Sequence, residues 1–521
     1  MDSQKGRILL ATLLSFVFFI LYDYFYLSKL NKNDINATHK TEISNKAPTS
    51  STSKLNLNEP SEPKTNSIVK FKSDFFHGEI DEFGRISKFI LDEKQYVDEK
   101  GKQISVINPV NSPLPLEIRF SDNKLNDLAF KTPYTSNLNE LEIKNDKNLV
   151  ILTQNLGKIV VTKKIEFLPN GAYKLDVNVS DDVAFFITPG LRPNIVVDGY
   201  TVHGGIVRLK DKKLKIVEDG DLDNDERFSQ ANIVAASDRY YTSLFFSKNS
   251  SLNVVSTPDN NSNTLFFIET KGNFQTTGYI GPKNYDTLIS INPVLTDVIE
   301  YGWFTWIAKP VFIVLKIFFG FFGNWGWAIV AMTIILRIIL LPLTYRGMMS
   351  MNKLKELAPK IKELQTKYKG EPQKMQAHMM ELYKKNNANP MGGCLPILLQ
   401  IPIFFAVYRV LLNAIELKGA EWILWIQDLA VKDPYFILPI LMGITMFLQQ
   451  KLTPANFTDP MQEKIMKWLP LIFTFFFMTF PAGLTLYWFI NNLCSVGQQI
   501  FINKMFEKQK AKKAMEEKND N

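Results

Sequence analysis

Only two cysteines, Cys394 and Cys494, stand in 521 residues, and both fall in or at the edge of long apolar stretches. A disulfide framework for the polar part of the chain is thereby excluded, and nothing in their surroundings indicates metal ligation. Histidine is nearly as scarce: His39, His77, His203 and His378 all lie outside the apolar stretches. That excludes a Ser–His or zinc site inside a membrane, and neither HExxH nor GxSxG occurs. A phosphate-binding loop of the Walker type is also missing. His77 and His203 have no carboxylate motif beside them and read as structural. The most telling absence is of acid. Five apolar stretches, at 325–345, 395–413, 435–450, 465–481 and 483–502, hold no Asp or Glu. A proton relay or a buried carboxylate partner has no material there. Neither a metal nor a cofactor is expected, and the protein does not read as an enzyme.

Each of these five stretches approaches the ~20 residues that a membrane-spanning helix needs, some falling a little short. A sixth, at 8–27, follows Lys5 and Arg7 and has no small-residue cleavage site after its apolar centre. It reads as a retained signal anchor occupying 1–28. Orientation follows from the short loops. Residues 346–394 carry ten Lys/Arg against four Glu, a net of +6, whereas 413–434 carries two Lys against four acids. Six Lys follow Asn503. The positive-inside rule then places both termini, the 346–394 loop and the 451–467 loop in the cytoplasm, with the large middle domain on the opposite side. The overall +8 is concentrated in cytoplasmic segments, which points to anionic lipid or ribosomal RNA and not to DNA.

Residues 29–67 are rich in Asn, Ser, Thr, Lys and Pro and cannot bury a core, so a flexible linker is expected. From 68 to 296 the texture becomes short alternating runs such as IVKFK, LVILTQ, KIVVTKKIEFL and YKLDVNVS, separated by Asn, Gly, Asp and Pro. That is the pattern of antiparallel strands in a sandwich. Residues 297–322 are dense in aromatics but broken by Lys309 and Lys316. An amphipathic helix in the membrane interface fits, with Trp303 and Trp306 at head-group depth, the rival being a seventh span. Within 346–390 a helical hairpin is expected: one helix over 359–368 with Pro359 at its start, a turn at 369–372, and a second helix over 373–386. Its Met375, Met379, Met380 and Tyr383 form an adaptable apolar surface. A membrane core over 323–503 and a basic tail over 504–521 complete the division.

Arg337 is the one charge inside WGWAIVAMTIILRIILLPL. At about 1.5 Å per residue it lies about 18 Å from Trp325 but about 9 Å from Leu343. A cation in such a span costs roughly 2.5–3.5 kcal/mol and usually faces protein or a water-filled cavity. Two readings are open, a side chain snorkelling to the nearer surface or a polar cavity within a bundle. Uncharged polar residues are available for the second. Thr333 precedes Arg337 by one turn. Thr485, Trp488, Asn492, Ser495 and Gln499 form one stripe on the last span, widened by Asn491 and Gln498. Gln400 interrupts another span, and Gln449 and Gln450 end a third. Each amide alone could serve only helix association, worth about 0.6 kcal/mol.

The segments YIGPKNYDTL, GNWGWAIVAMTIILRIILLPLT, NPMGGCLPILLQIPIFFAVYRVL, DPYFILPILMGITMFLQQKL and DPMQEKIMKWLPLIFTFFFMTFPAGLTLYWFINNL closely resemble the YidC/Oxa/Alb family of membrane protein insertases, over about residues 275–505. The anchor and large exported domain resemble its Gram-negative form. The resemblance implies a polytopic helical membrane protein of six spans, five of them forming a core, with a periplasmic all-β supersandwich. It implies a hydrophilic groove open to the cytoplasm, with Arg337 and Thr333 at the family's groove positions and Trp488 where some members carry Tyr. The hairpin matches a segment implicated in substrate capture. Nascent membrane proteins are then the substrates and the Sec translocon with its accessory subunits a partner, while the ribosome and anionic lipids suit the basic segments. Two other classes are weighed. A transporter should show inverted repeats or an ionisable coupling site, and neither is seen. A periplasmic chaperone or scaffold, using the spans only as anchor, would need the exported domain for its function.

Overall fold

The computed structural model describes Leu55 and residues 66–519, apart from 99, 111, 145–147, 196–200, 202, 249, 387, 389–394 and 454–459. The expected anchor at 1–28, nearly all of the 29–67 linker and Cys394 lie outside the described residues. Two compact units are present: residues up to 300 after the linker form one, and 301–521 belong to the other.

Alternation builds the first unit. In Leu149–Leu156 every second residue from Val150 is buried, and in Ile159–Phe167 the inward set is Val161, Lys163, Ile165 and Phe167. The two strands pair as a hairpin across Gly157, whose φ of +82° suits glycine. Among the described residues thirteen strands make one sheet and five the other. The small sheet contains Ser67–Lys72, Phe76–Asp81 and Ile86–Leu91. Its aromatic face meets the large one, Phe71 stacking on Phe167 at 4.5 Å between ring centroids. Two short helices accompany the sandwich, α1 (Asn123–Ala129) between strands and α2 (Tyr285–Ile291) after the last strand. They start where Asp122 and Asn284 cap them by accepting from Leu125 N and Thr287 N.

A buried ionic network joins the sheets. Arg85 donates to Asp81 through Nε at 2.9 Å and to Glu117 through Nη1 at 2.9 Å, and Arg119 Nε donates to Glu117 at 2.8 Å. All four are almost fully buried. Lys163 stands beside them at a position where the strand pattern calls for an apolar residue. Its Nζ donates to the carbonyls of Gly84 (2.9 Å) and Leu116 (2.8 Å) and sits 4.6 Å from the centroid of the Tyr134 ring. Burial pushes the Lys163 ammonium down to about 7, Asp81 and Glu117 opposing the shift and Arg85 adding to it. The folded value lies below the unfolded one, so between them the unfolded chain holds a proton that the folded chain has released. Stability of this unit should therefore rise as pH climbs from about 7 toward 10.5, each unit of displacement being worth about 1.4 kcal/mol. Lys163→Met should flatten that dependence and stabilise the unit below pH 7. Amide exchange in Ile159–Phe167, corrected for intrinsic rates at each pH, measures it; an unchanged pH slope in the variant would contradict the assignment.

His77 departs from the sequence expectation of a histidine without a carboxylate. Its Nδ1 lies 2.9 Å from Asp92 Oδ1, a partner brought in from the neighbouring strand fifteen residues on. The pair is partly exposed at the sheet margin and joins no further ionic group in the described contacts.

The second unit is helical. After short 3-10 turns come α3 (Thr305–Phe322), α4 (Trp325–Glu356), α5 (Ala358–Lys367), α6 (Pro372–Lys385), α7 (Leu395–Asn413), α8 (Ile437–Leu452), α9 (Pro460–Phe477) and α10 (Ala482–Asn519). Gly323, at φ +62°, ends α3, and Asn324 caps α4 by accepting from Trp327 N. By length and composition Gly302–Phe322 and Trp325–Glu356 are each long and apolar enough to cross a bilayer, while Gln400–Asn413, Ile437–Leu452 and Met466–Phe477 are shorter apolar helices. The 32-residue α4 and 38-residue α10 are about 48 and 57 Å long, well beyond the ~30 Å of a hydrocarbon core. Sequence hydropathy registers only their apolar halves, because the continuing turns are polar yet helical.

Candidate functional site

Polar side chains converge where α4 and α10 pack together. Thr333 is buried and its Oγ1 donates to the Ile329 carbonyl at 2.7 Å, a bond within its own helix. One turn later Arg337 is only 7% exposed, and its Nε donates to Asn491 Oδ1 at 2.8 Å. Ser495 Oγ donates to the Asn491 carbonyl at 2.9 Å, so three residues form a chain across the helix pair. Gln498 Nε2 approaches the Arg337 carbonyl at 3.4 Å, and Tyr487 and Cys494 stand within electrostatic reach of the guanidinium. Among the described residues no carboxylate forms an ion pair with Arg337. An amide oxygen thus carries the orientation of a charge that an acid would otherwise neutralise, and the charge itself is left for another partner.

Trp488 faces a different environment. Its ring meets Phe404 edge-on at 4.5 Å and lies 5.3 Å from Phe477 and 6.3 Å from Phe473. The indole Nε1 and, one turn on, Asn492 Nδ2 are both buried without an acceptor among the described residues. Gln498 Oε1 is a buried acceptor likewise without a partner among the described residues, so beside the Arg337 guanidinium this face holds two unmatched donors and one unmatched acceptor. Such a surface suits a ligand that brings carbonyls or carboxylates, because an unmatched buried donor carries a desolvation cost of about 1–3 kcal/mol.

The other candidates are distributed around the unit. Gln450 donates its amide to the Met466 carbonyl, tying α8 to α9, and is not joined to Arg337. Gln400 is half-buried on α7. In the hairpin Pro359 stands in the first turn of α5, and Gly370 takes φ +97° at the bend. Met375, Met379 and Tyr383 are half-buried and Met380 exposed; the helices meet through Tyr368 stacked on His378 at 4.7 Å. No residue of α5 is buried. The hairpin therefore leaves much of its apolar surface open.

Three features escaped the reading by residue type. Phe404, Phe473 and Phe477 build the aromatic wall around Trp488, and only the i, i+4 spacing of the last two hints at it. Tyr487 is buried beside Arg337 although it neighbours Trp488 in sequence. Asn352 and Gln499 both donate to Asn503 Oδ1, at 2.9 and 2.8 Å, and Lys510 pairs with Glu356 at 2.8 Å. The contact between α4 and α10 thereby continues past the apolar part. Asn503 extends the spacing of Ser495 and Gln499 by one more turn, which was the available signal.

A family model described as 60Kd inner membrane protein matches residues 317–510, and one described as YidC periplasmic domain matches residues 68–314. A relative in Campylobacter jejuni, named membrane protein insertase YidC, is 53% identical over 516 residues covering 98% of either chain. One of the same name in Helicobacter pylori is 46% identical over 547 aligned positions, 99% of either chain. A solved structure described as an active YidC insertase with its first transmembrane domain resolved covers 84% of this chain and 94% of its own, at 17% identity and a TM-score of 0.36. With two thirds of its length and more matched at these identities, the chain belongs to the YidC family of membrane protein insertases.

Proposed function

We propose that this protein moves nascent membrane proteins from the cytoplasm into the inner membrane, using the α4–α10 face as a hydrated groove open to the cytoplasm. The observation that carries the reading is Arg337: a buried guanidinium oriented by the Asn491 amide, with no carboxylate pair among the described residues. A nascent segment first meets the half-open hairpin of α5 and α6 and the Lys-rich end of α10. Its short polar part, often acidic, then exchanges water for Arg337, Asn492 and Trp488 Nε1. Its apolar part slides along Phe404, Phe473 and Phe477 into lipid. Burial of that apolar helix supplies the driving force at roughly 25 cal/mol per Å², so no nucleotide is required.

In this reading both termini are cytoplasmic and the β unit is periplasmic. Helix α3 lies in the outer interface, with Trp303 and Trp306 exposed at head-group depth. The protein acts alone or with the Sec translocon, and its basic segments meet the ribosome and anionic lipid. A chain lacking most of 70–290 should still support insertion in a depletion strain, and purified protein in vesicles should insert substrate without nucleotide. Loss of insertion in a stably produced deletion variant would favour the anchored periplasmic scaffold instead.

A further inference from the structure

Arg337 meets Asn491 and not the neighbouring Asn492, although both amides are buried. Successive residues of a helix stand about 100° apart, so the choice is set by how α10 is turned against α4. The Arg337–Asn491 bond cannot be its own guide, because the long arginine stem would let the guanidinium follow either amide. Gln498 Nε2 reaches the Arg337 carbonyl only at 3.4 Å, too long to fix a rotation.

A better candidate lies further along the same helix pair. Asn491, Ser495, Gln499 and Asn503 follow one another at intervals of four on α10, a spacing that keeps them on one side. Asn503 Oδ1 accepts from Asn352 Nδ2 of α4 at 2.9 Å. It also accepts from Gln499 Nε2, one turn back on its own helix, at 2.8 Å. Asn352 and Gln499 are almost fully buried. Beyond them Glu356 pairs with Lys510, both exposed, and a pair so open to water contributes little. From Arg337–Asn491 to Glu356–Lys510 each helix advances nineteen residues, about 28 Å. The two helices therefore run parallel and in step. Apolar side chains tolerate a range of rotations, whereas an amide must meet its donor within a narrow distance and angle. A single buried Asn between parallel helices is known to fix register at some cost in stability.

We infer that Asn503 is a positioning residue for Arg337. With Asn352 it sets the rotation of α10 against α4, which selects Asn491 as the partner of the guanidinium and leaves Asn492 Nδ2 for a ligand. The consequence for substrates rests on the groove reading proposed above; the setting of the rotation does not.

The test uses the full chain in its membrane with Cys394→Ser and Cys494→Ser, and with Glu356→Cys and Lys510→Cys as a thiol pair. A short bifunctional maleimide reads whether those two positions stay side by side. Asn352→Leu with Asn503→Leu removes donor and acceptor together, so the helices still pack while their register is freed. Cross-linking should fall about tenfold, equivalent to roughly 1.4 kcal/mol of register preference. Insertion of acidic relative to acid-free substrates should fall with it, toward the ratio given by Arg337→Ala. Asn503→Asp keeps an acceptor for both amides and should leave both readings at the parental level. Cross-linking unchanged by the two leucines, or reduced with the substrate ratio intact, or lost equally in Asn503→Asp, would overturn the assignment. If Arg337→Ala leaves the ratio unchanged, the groove reading itself has failed, and the cross-link with its aspartate rescue decides the register alone.

Discussion

Replacing Arg337 by Ala is expected to slow insertion of substrates with an acidic translocated segment by roughly tenfold or more. An acidic group at mid-membrane costs roughly 2.5–3.5 kcal/mol, and recovering even about 1.4 kcal/mol of it in the groove changes a rate tenfold. Arg337→Lys keeps the cation but not the fork that reaches Asn491, and should retain most activity. Substrates without acids should be affected much less by either change. The readout is protease protection of a set of single-span substrates in a depletion strain, at matched levels of each variant. An Ala variant that inserts acidic substrates at the normal rate would remove Arg337 from the mechanism, leaving it a snorkelling side chain.

The second large effect is expected in the β unit. Arg85→Ala strips Asp81 of its guanidinium and leaves Glu117 with Arg119 alone. Breaking one side of a buried pair typically costs about 3–5 kcal/mol because an uncompensated charge remains. The backbone donors of Phe83 and Arg85 still serve Asp81, which puts the expectation at about 3 kcal/mol. The lost cation also removes one of the influences that lower Lys163, so the rise of stability with pH above 7 should shrink in the same variant. Denaturant unfolding of the β unit at two pH values reads both. Insertion itself should persist, because the proposed mechanism draws nothing from this unit; a variant with a destabilised β unit and lost insertion would couple the two.

Much of the architecture was readable from pattern, and the exceptions have physical causes. Leu149–Leu156 and Ile159–Phe167 were visible because one face is wet and the other buried. Tyr241–Phe246 is buried on both faces and Gly204–Leu209 nearly so, so neither offers alternation to detect. Lys163 could not be placed by type, since its inward position is made tolerable by two carbonyls from distant turns. The hairpin announced itself through Pro359, Gly370 and Pro372, all backbone signals. In the site, Arg337 was conspicuous as a lone cation, whereas Asn491 stood at the edge of the polar stripe. Which amide meets the guanidinium depends on the rotation of α10 against α4, and periodicity within one helix does not carry that. The docking of residues 414–436 on the start of α10 was invisible for a related reason: backbone carbonyls make it, and they leave no mark in residue identity.

The central claim is that substrate polypeptide passes along the face bearing Thr333, Arg337 and Trp488. Its most direct test is site-directed photo-crosslinking from positions 333 and 488 to a ribosome-stalled nascent membrane protein, with Phe321, exposed on α3, as the control position. The groove reading predicts adducts from 333 and 488 that appear only while the first apolar segment of the substrate is emerging and fade once it is released into lipid. Adducts from 321 equal to those from 333 and 488, or none from either at any chain length, would contradict it.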